Sequence, residues 1–130
     1  LDGYADKVTA FNASDITKLT VETLVEGTGA TVKEGDTISA NYTGWLPDGT
    51  IFDSTKSEGS DASSVSFELA KSKIIDGWVE GLVGKRAGGV YYLSIPSDLA
   101  YGETGSGDTI PANTPLRFIV QIVSIVNSWY

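Results

Sequence analysis

From Leu19 onward the chain alternates. Leu19, Val21, Thr23 and Val25 fall on one face, and Thr20, Glu22, Leu24 and Glu26 on the other. That is the period of a half-buried strand. Gly27-Thr28-Gly29 breaks it. A second strand follows the Glu34-Gly35-Asp36 turn and runs over about 37–45. Pro47-Asp48-Gly49 then predicts a turn, because proline presets φ and glycine accepts a positive one. A short strand follows around Ile51-Phe52. Residues 54–66 are rich in Ser, Asp and Gly and read as a loop or a bulge in a surface strand. Val65, Phe67 and Leu69 alternate again, so a strand resumes there.

Ile74, Ile75, Trp78 and Leu82 recur at helical spacing and predict a helix over 73–82. So short a helix, carrying Gly77 and Gly81, depends on packing for its stability. Residues 90–95 form a strand ended by Pro96, and 97–114 a long Gly-rich loop. Residues 116–126 give the clearest strand, with Leu116, Phe118, Val120 and Ile122 on one face, and a central place in the sheet is expected for it. The pattern predicts an α+β domain: about five to six antiparallel strands with one short α-helix covering the apolar face. Residues 1–18 read as an N-terminal extension or linker ahead of a domain over 19–130. Packing of this extension on the domain edge is favoured, since Phe11 and Ile16 would otherwise be exposed.

Composition narrows the chemistry. The 130 residues hold 9 Lys and Arg against 17 Asp and Glu, a net charge of −8 with no basic stripe, which argues against nucleic acid as a ligand. The chain has no Cys and no His. Disulfides, thiol catalysis and Ser-His-Asp catalysis are therefore excluded, together with the commonest transition-metal ligands. No apolar run is long enough to span a bilayer, so no membrane insertion is expected of this sequence. The chain starts at Leu1 and contains no Met, which reads as a product of a longer precursor. Together with the many Ser and Thr this leans towards an extracytoplasmic domain, though the compartment stays open. Two Asn-x-Ser/Thr sequons occur, at Asn12 and Asn41, and the second falls in a predicted strand where modification is not expected.

Six segments, in order, carry a resemblance. They are 25–29 (VEGTG), 41–46 (NYTGWL), 48–54 (DGTIFDS), 74–78 (IIDGW), 95–102 (IPSDLAYG) and 110–118 (IPANTPLRF). Each is weak alone; in this order and spacing the set resembles the FKBP family of peptidyl-prolyl cis-trans isomerases, over about 19–127. The resemblance implies a curved antiparallel sheet wrapped around one short helix. It implies isomerase activity on Xaa-Pro bonds in polypeptides, assisting folding, with no cofactor.

It also implies site residues. Trp78 resembles the pocket floor, and Tyr42, Phe52 and Phe118 the aromatic walls. Asp53 resembles the wall carboxylate. Ile74 and Ile75 resemble the apolar pair before the helix, with the Ile75 N–H as donor to a ligand carbonyl. Tyr101 resembles the loop tyrosine, and Ile110 the residue closing the far side. Val65 stands where many members carry an aromatic wall, Thr109 where many carry Ile or Val, and Ser106 where some carry His. The stretch between Asp53 and Phe67 is longer than in compact members. Implied partners are proline-containing polypeptides and macrolides of the rapamycin type, bound by a monomer.

Taken singly, Phe52, Phe118 and Trp78 read as core, Tyr42 and Tyr101 as buried tyrosines, and Asp53 as a turn cap. Taken as a set they read as a pocket. Two other functions stay open on the sequence: a non-catalytic peptide-binding module on the same fold, and a carbohydrate-binding β-domain suggested by the Trp and Tyr residues.

Overall fold

The computed structural model describes residues 10–55, 65–71, 73–107 and 109–126. Six strands are present among these: β1 (Thr20–Val25), β2 (Thr37–Trp45), β3 (Ile51–Ser54), β4 (Val65–Glu68), β5 (Val90–Ile95) and β6 (Leu116–Ile125). One helix, α1 (Asp76–Leu82), lies between β4 and β5. The sheet order is β1-β5-β6-β2-β3, with β4 also paired to β2, and every pairing is antiparallel. β6 is central, as its alternation predicts. β3 and β4 share the outer edge of β2: β3 pairs with Thr43–Trp45 and β4 with Thr37–Ala40.

The inner face of the sheet carries the main core. Tyr91, Leu93 and Ile95 of β5 lie beside Leu116, Phe118, Val120 and Ile122 of β6, with Ile38 and Ala40 of β2 beyond them. α1 packs on this face through Trp78 and Leu82. Gly77 and Gly81 let it approach closely. A Cβ on Gly77 would stand 2.5 Å from Ile95 Cγ2, and one on Gly81 2.9 Å from Leu93 Cδ2. The helix thus trades intrinsic propensity for tight contact with β5.

The other face carries a smaller cluster of Trp45, Val90 and Ile119, with Phe11, Leu24 and Tyr92 packed against it. Phe11 is half-buried there and Ile16 is buried, so residues 10–18 lie against the domain.

The turn between β2 and β3 has the expected chemistry. Gly49 has φ +89°, the Asp48 carboxylate accepts from the Thr50 N–H at 2.9 Å, and the Leu46 N–H donates to the Thr50 carbonyl at 2.8 Å. The Thr50 N–H, and after it the Thr50 side chain, hold the Asp48 carboxyl below its usual range.

Two boundaries differ from the sequence pattern. The helix begins at Asp76, not residue 73: Ile75 caps it with extended backbone (ψ 143°), and Asp76 places a carboxylate in the positive first turn. β4 ends at Glu68, because Leu69 leaves the strand to bond the 35–36 turn. Its N–H donates to the Asp36 carbonyl and its carbonyl accepts from Gly35, both at 2.9 Å, while its side chain is fully buried.

Candidate active site

A cleft opens at the N-terminal end of α1. It is lined by Tyr42, Phe52, Asp53, Phe67, Ile74, Ile75, Trp78, Tyr101 and Phe118, around about 290 Å³ of atom-free space. Trp78 is its floor. Three rings stand on edge against the indole: Tyr42 at 5.2 Å and 85°, Phe67 at 5.0 Å and 60°, and Phe118 at 5.5 Å and 89°. Phe52 meets Phe118 at 5.5 Å and 84°. Edge-to-face packing suits the ring quadrupoles and fixes each wall against its neighbour. The indole Nε1 is buried and has no hydrogen-bond partner among the described residues.

The backbone explains how Phe52 and Asp53, adjacent on one strand, both reach the cleft. Successive strand residues normally face opposite ways. Here the β2–β3 pairing shifts: Gly44 faces Asp53, but Trp45 faces Ile51, leaving Phe52 as an extra, unpaired residue. That bulge turns both side chains inward. Gly44 completes the arrangement by its lack of a side chain. A Cβ there would lie 2.7 Å from both Phe118 Cε1 and Phe52 Cζ, so only glycine leaves room for that ring pair.

Polar groups gather on one side. The Tyr42 hydroxyl donates a short hydrogen bond to Asp53 Oδ2, and Asp53 Oδ1 accepts from the Ser54 N–H at 2.9 Å. Burial, and then the Asp53 carboxylate, raise the Tyr42 phenol above its ordinary range, so it stays a donor at neutral pH. Tyr101 is shifted the same way, by burial first and Asp53 second. The Ile75 N–H, at the helix cap, has no carbonyl to bond within α1. A shallow groove lined by Lys73, Ile74, Ile75, Asp76, Ala100 and Tyr101 continues from the cleft.

Eight residues expected at the site come together: Tyr42, Phe52, Asp53, Ile74, Ile75, Trp78, Tyr101 and Phe118. Three do not line the cleft. Val65 lies at the start of β4, 45% exposed, opposite Ala40. Thr109 is exposed. Ile110 is 3% exposed and sits in the main core; its carbonyl accepts from Ser106 at 2.8 Å, so it anchors the loop from beneath. Phe67 is the wall the sequence reading missed. Its ring stands 5.5 Å from Tyr42 at 73°, and the alternation of β4, with Phe67 two residues after Val65, already placed it on the inward face.

No group of three or more acidic, His or Cys side chains suited to a metal occurs among the described residues. The cleft is an aromatic socket with the Tyr42 and Tyr101 hydroxyls and the Asp53 carboxylate among its lining groups.

Residues 29–123 match the family model for the FKBP-type peptidyl-prolyl cis-trans isomerase. FK506-binding protein 2 of Yarrowia lipolytica is 42% identical over 95 residues, covering 73% of this chain and 64% of that protein. FK506-binding protein of Neisseria meningitidis is 37% identical over 107 residues, covering 82% of this chain and 95% of that one. The crystal structure of a peptidyl-prolyl cis-trans isomerase from Pseudomonas syringae superposes with a TM-score of 0.74 at 33% identity, over 84% of this chain and 76% of its own. The chain belongs to the FKBP family of peptidyl-prolyl cis-trans isomerases.

Proposed function

We propose that the cleft over Trp78 is where this isomerase turns Xaa-Pro bonds of polypeptides, and that macrolides of the FK506 and rapamycin type occupy the same socket. The observation that carries the reading is the indole floor ringed by Tyr42, Phe67 and Phe118, with Phe52 behind them.

The barrier to peptide rotation is about 18–20 kcal/mol and comes from amide resonance. In the twisted transition state resonance is lost and charge separation across C–N falls. A dry aromatic socket favours this less polar state over the planar one, and only such differential stabilisation speeds the reaction. The rings grip the pyrrolidine while the preceding carbonyl swings. The Ile75 N–H and the Tyr101 hydroxyl are the donors placed to hold substrate carbonyls. Asp53, tied to Tyr42, orients that wall and moves no proton.

The test is exchange NMR on a short Xaa-Pro peptide, whose uncatalysed isomerisation takes on the order of tens to hundreds of seconds. Acceleration abolished by rapamycin and by Trp78→Ala supports the reading. Acceleration that survives both places the site elsewhere, and binding without acceleration makes the domain a peptide-holding module.

A further inference from the structure

At one register position the sheet has the cleft on one side and the N-terminal segment on the other. Gly44 of β2 pairs with Phe118 of β6, and the next pair is Trp45 with Arg117. Alternation sends Phe118 to the cleft and Arg117 to the outer face. Directly behind the aromatic wall therefore lies the outer cluster of Trp45, Val90 and Ile119.

Phe11 seals that cluster from upstream of the family-matched segment. Two contacts seat it. The Arg117 guanidinium carbon stands 4.4 Å from the Phe11 ring centroid and 5.7 Å from that of Tyr92. The Phe11 N–H donates to the Pro47 carbonyl at 2.7 Å. Pro47 begins the turn that carries the chain from β2 into β3. β3 is a four-residue strand whose one strand neighbour among the described residues is β2, yet it supplies both Phe52 and Asp53. With β4, it is one of two four-residue strands that pair only with β2 among the described residues, and the Phe11 N–H bonds its turn from outside.

We propose that Phe11 is a positioning residue for the isomerase. The segment around it is a strap that holds the β2–β3 turn and backs the Phe52, Asp53 and Phe118 wall through Arg117. The inference rests on the cleft being the active site. A wall that closes only part of the time lowers apparent substrate affinity by the fraction of time it is closed. The strap therefore acts on KM more than on kcat.

The experiment compares the full chain with Phe11→Ala and Phe11→Tyr, at a temperature where circular dichroism shows each fully folded. Phe11→Ala is expected to raise KM by about 3–10-fold with kcat within about two-fold of wild type. Phe11→Tyr, which keeps the ring, restores KM. Amide shifts of Ile51, Phe52 and Asp53 move in Phe11→Ala although no residue near them was changed. A wild-type KM with unmoved shifts at β3 overturns the proposal, whatever happens to Tm. Should Phe11→Ala not fold, Phe11→Leu keeps the apolar contact but loses the ring face for Arg117, and its KM is read in the same way. Phe52→Ala separates the two layers of the argument. Full activity there overturns the cleft assignment, whereas lost activity there beside a wild-type KM in Phe11→Ala overturns the strap alone.

Discussion

Gly44→Ala adds one methyl group at the place where two walls of the cleft meet. The new Cβ would lie 2.7 Å from Phe118 Cε1 and 2.7 Å from Phe52 Cζ, where unstrained carbons keep about 3.5–4.0 Å apart. Each ring has to retreat by about 1 Å, or the two strands must part. Overpacking of this kind costs about 1–3 kcal/mol. Glycine to alanine at an ordinary strand position returns about 0.4–1 kcal/mol through the unfolded chain. The net loss is therefore about 0.5–2 kcal/mol, towards the lower end if β3, as an edge strand, yields first.

Phe52 is the ring that yields, so activity falls further than stability does. Catalytic efficiency is expected to drop by more than about tenfold, the equivalent of 1.4 kcal/mol of transition-state grip. Tm is expected to drop by only a few degrees. The measurements are peptide isomerisation rates below the melting range and thermal denaturation followed by circular dichroism. A variant with wild-type efficiency and wild-type Tm would show that the Phe52–Phe118 contact tolerates the methyl, and that its spacing does not set the cleft.

Other consequences can be checked alongside. Phe67→Ala is expected to lower kcat/KM by about tenfold or more, because it strips one edge from the indole floor, while Val65→Ala stays within about two-fold; equal effects would restore Val65 to the wall. Activity is expected to be flat between about pH 6 and 8, since rotation about a peptide bond moves no proton, and a bell-shaped profile would reveal a proton transfer. Tyr42 is raised by burial and by Asp53, so its contribution to stability is complete below the unfolded phenol value of about 10 and fades as pH rises towards the folded value. Urea titrations at pH 8 and 11 are expected to show an alkaline loss that is smaller in Tyr42→Phe. Gly77→Val drives a branched side chain into Ile95 and is expected to cost about 1–3 kcal/mol or more, read as a lower urea midpoint; an unchanged midpoint would mean that α1 docks loosely.

Much of this was legible in the chain. The period-two runs placed the strands, and the apolar run Phe118-Ile119-Val120 in β6 reflects cover on both faces, with Phe118 and Val120 under the helix side and Ile119 under the outer cluster. The turn at Pro47-Asp48-Gly49 followed from side-chain chemistry alone. What stayed hidden depends on partners distant in sequence. Nothing local marks Phe52 as a bulge residue, because a bulge is a relation between two strands. The helix start was read three residues early because Ile74 and Ile75 keep helical spacing with Trp78 while serving the cleft from an extended cap. Val65 was favoured over Phe67 by position in a motif, though the alternation of β4 gave both residues the same face.

The shared outer edge of β2 makes the fold permissive at one place. The chain leaves β3 at Thr55, whose N–H donates to the Tyr42 carbonyl at 2.9 Å and whose hydroxyl accepts from the Tyr42 N–H at 3.0 Å. It rejoins at Val65, opposite Ala40. Tyr42 and Ala40 are two residues apart on one strand, so exit and re-entry lie about 7 Å apart along it. Each lip is registered by β2 independently of the other. The number of residues joining them is thus uncoupled from the positions of Phe52, Asp53 and Phe67. A reporter grafted between 55 and 65 is therefore expected to leave the walls of the cleft in place.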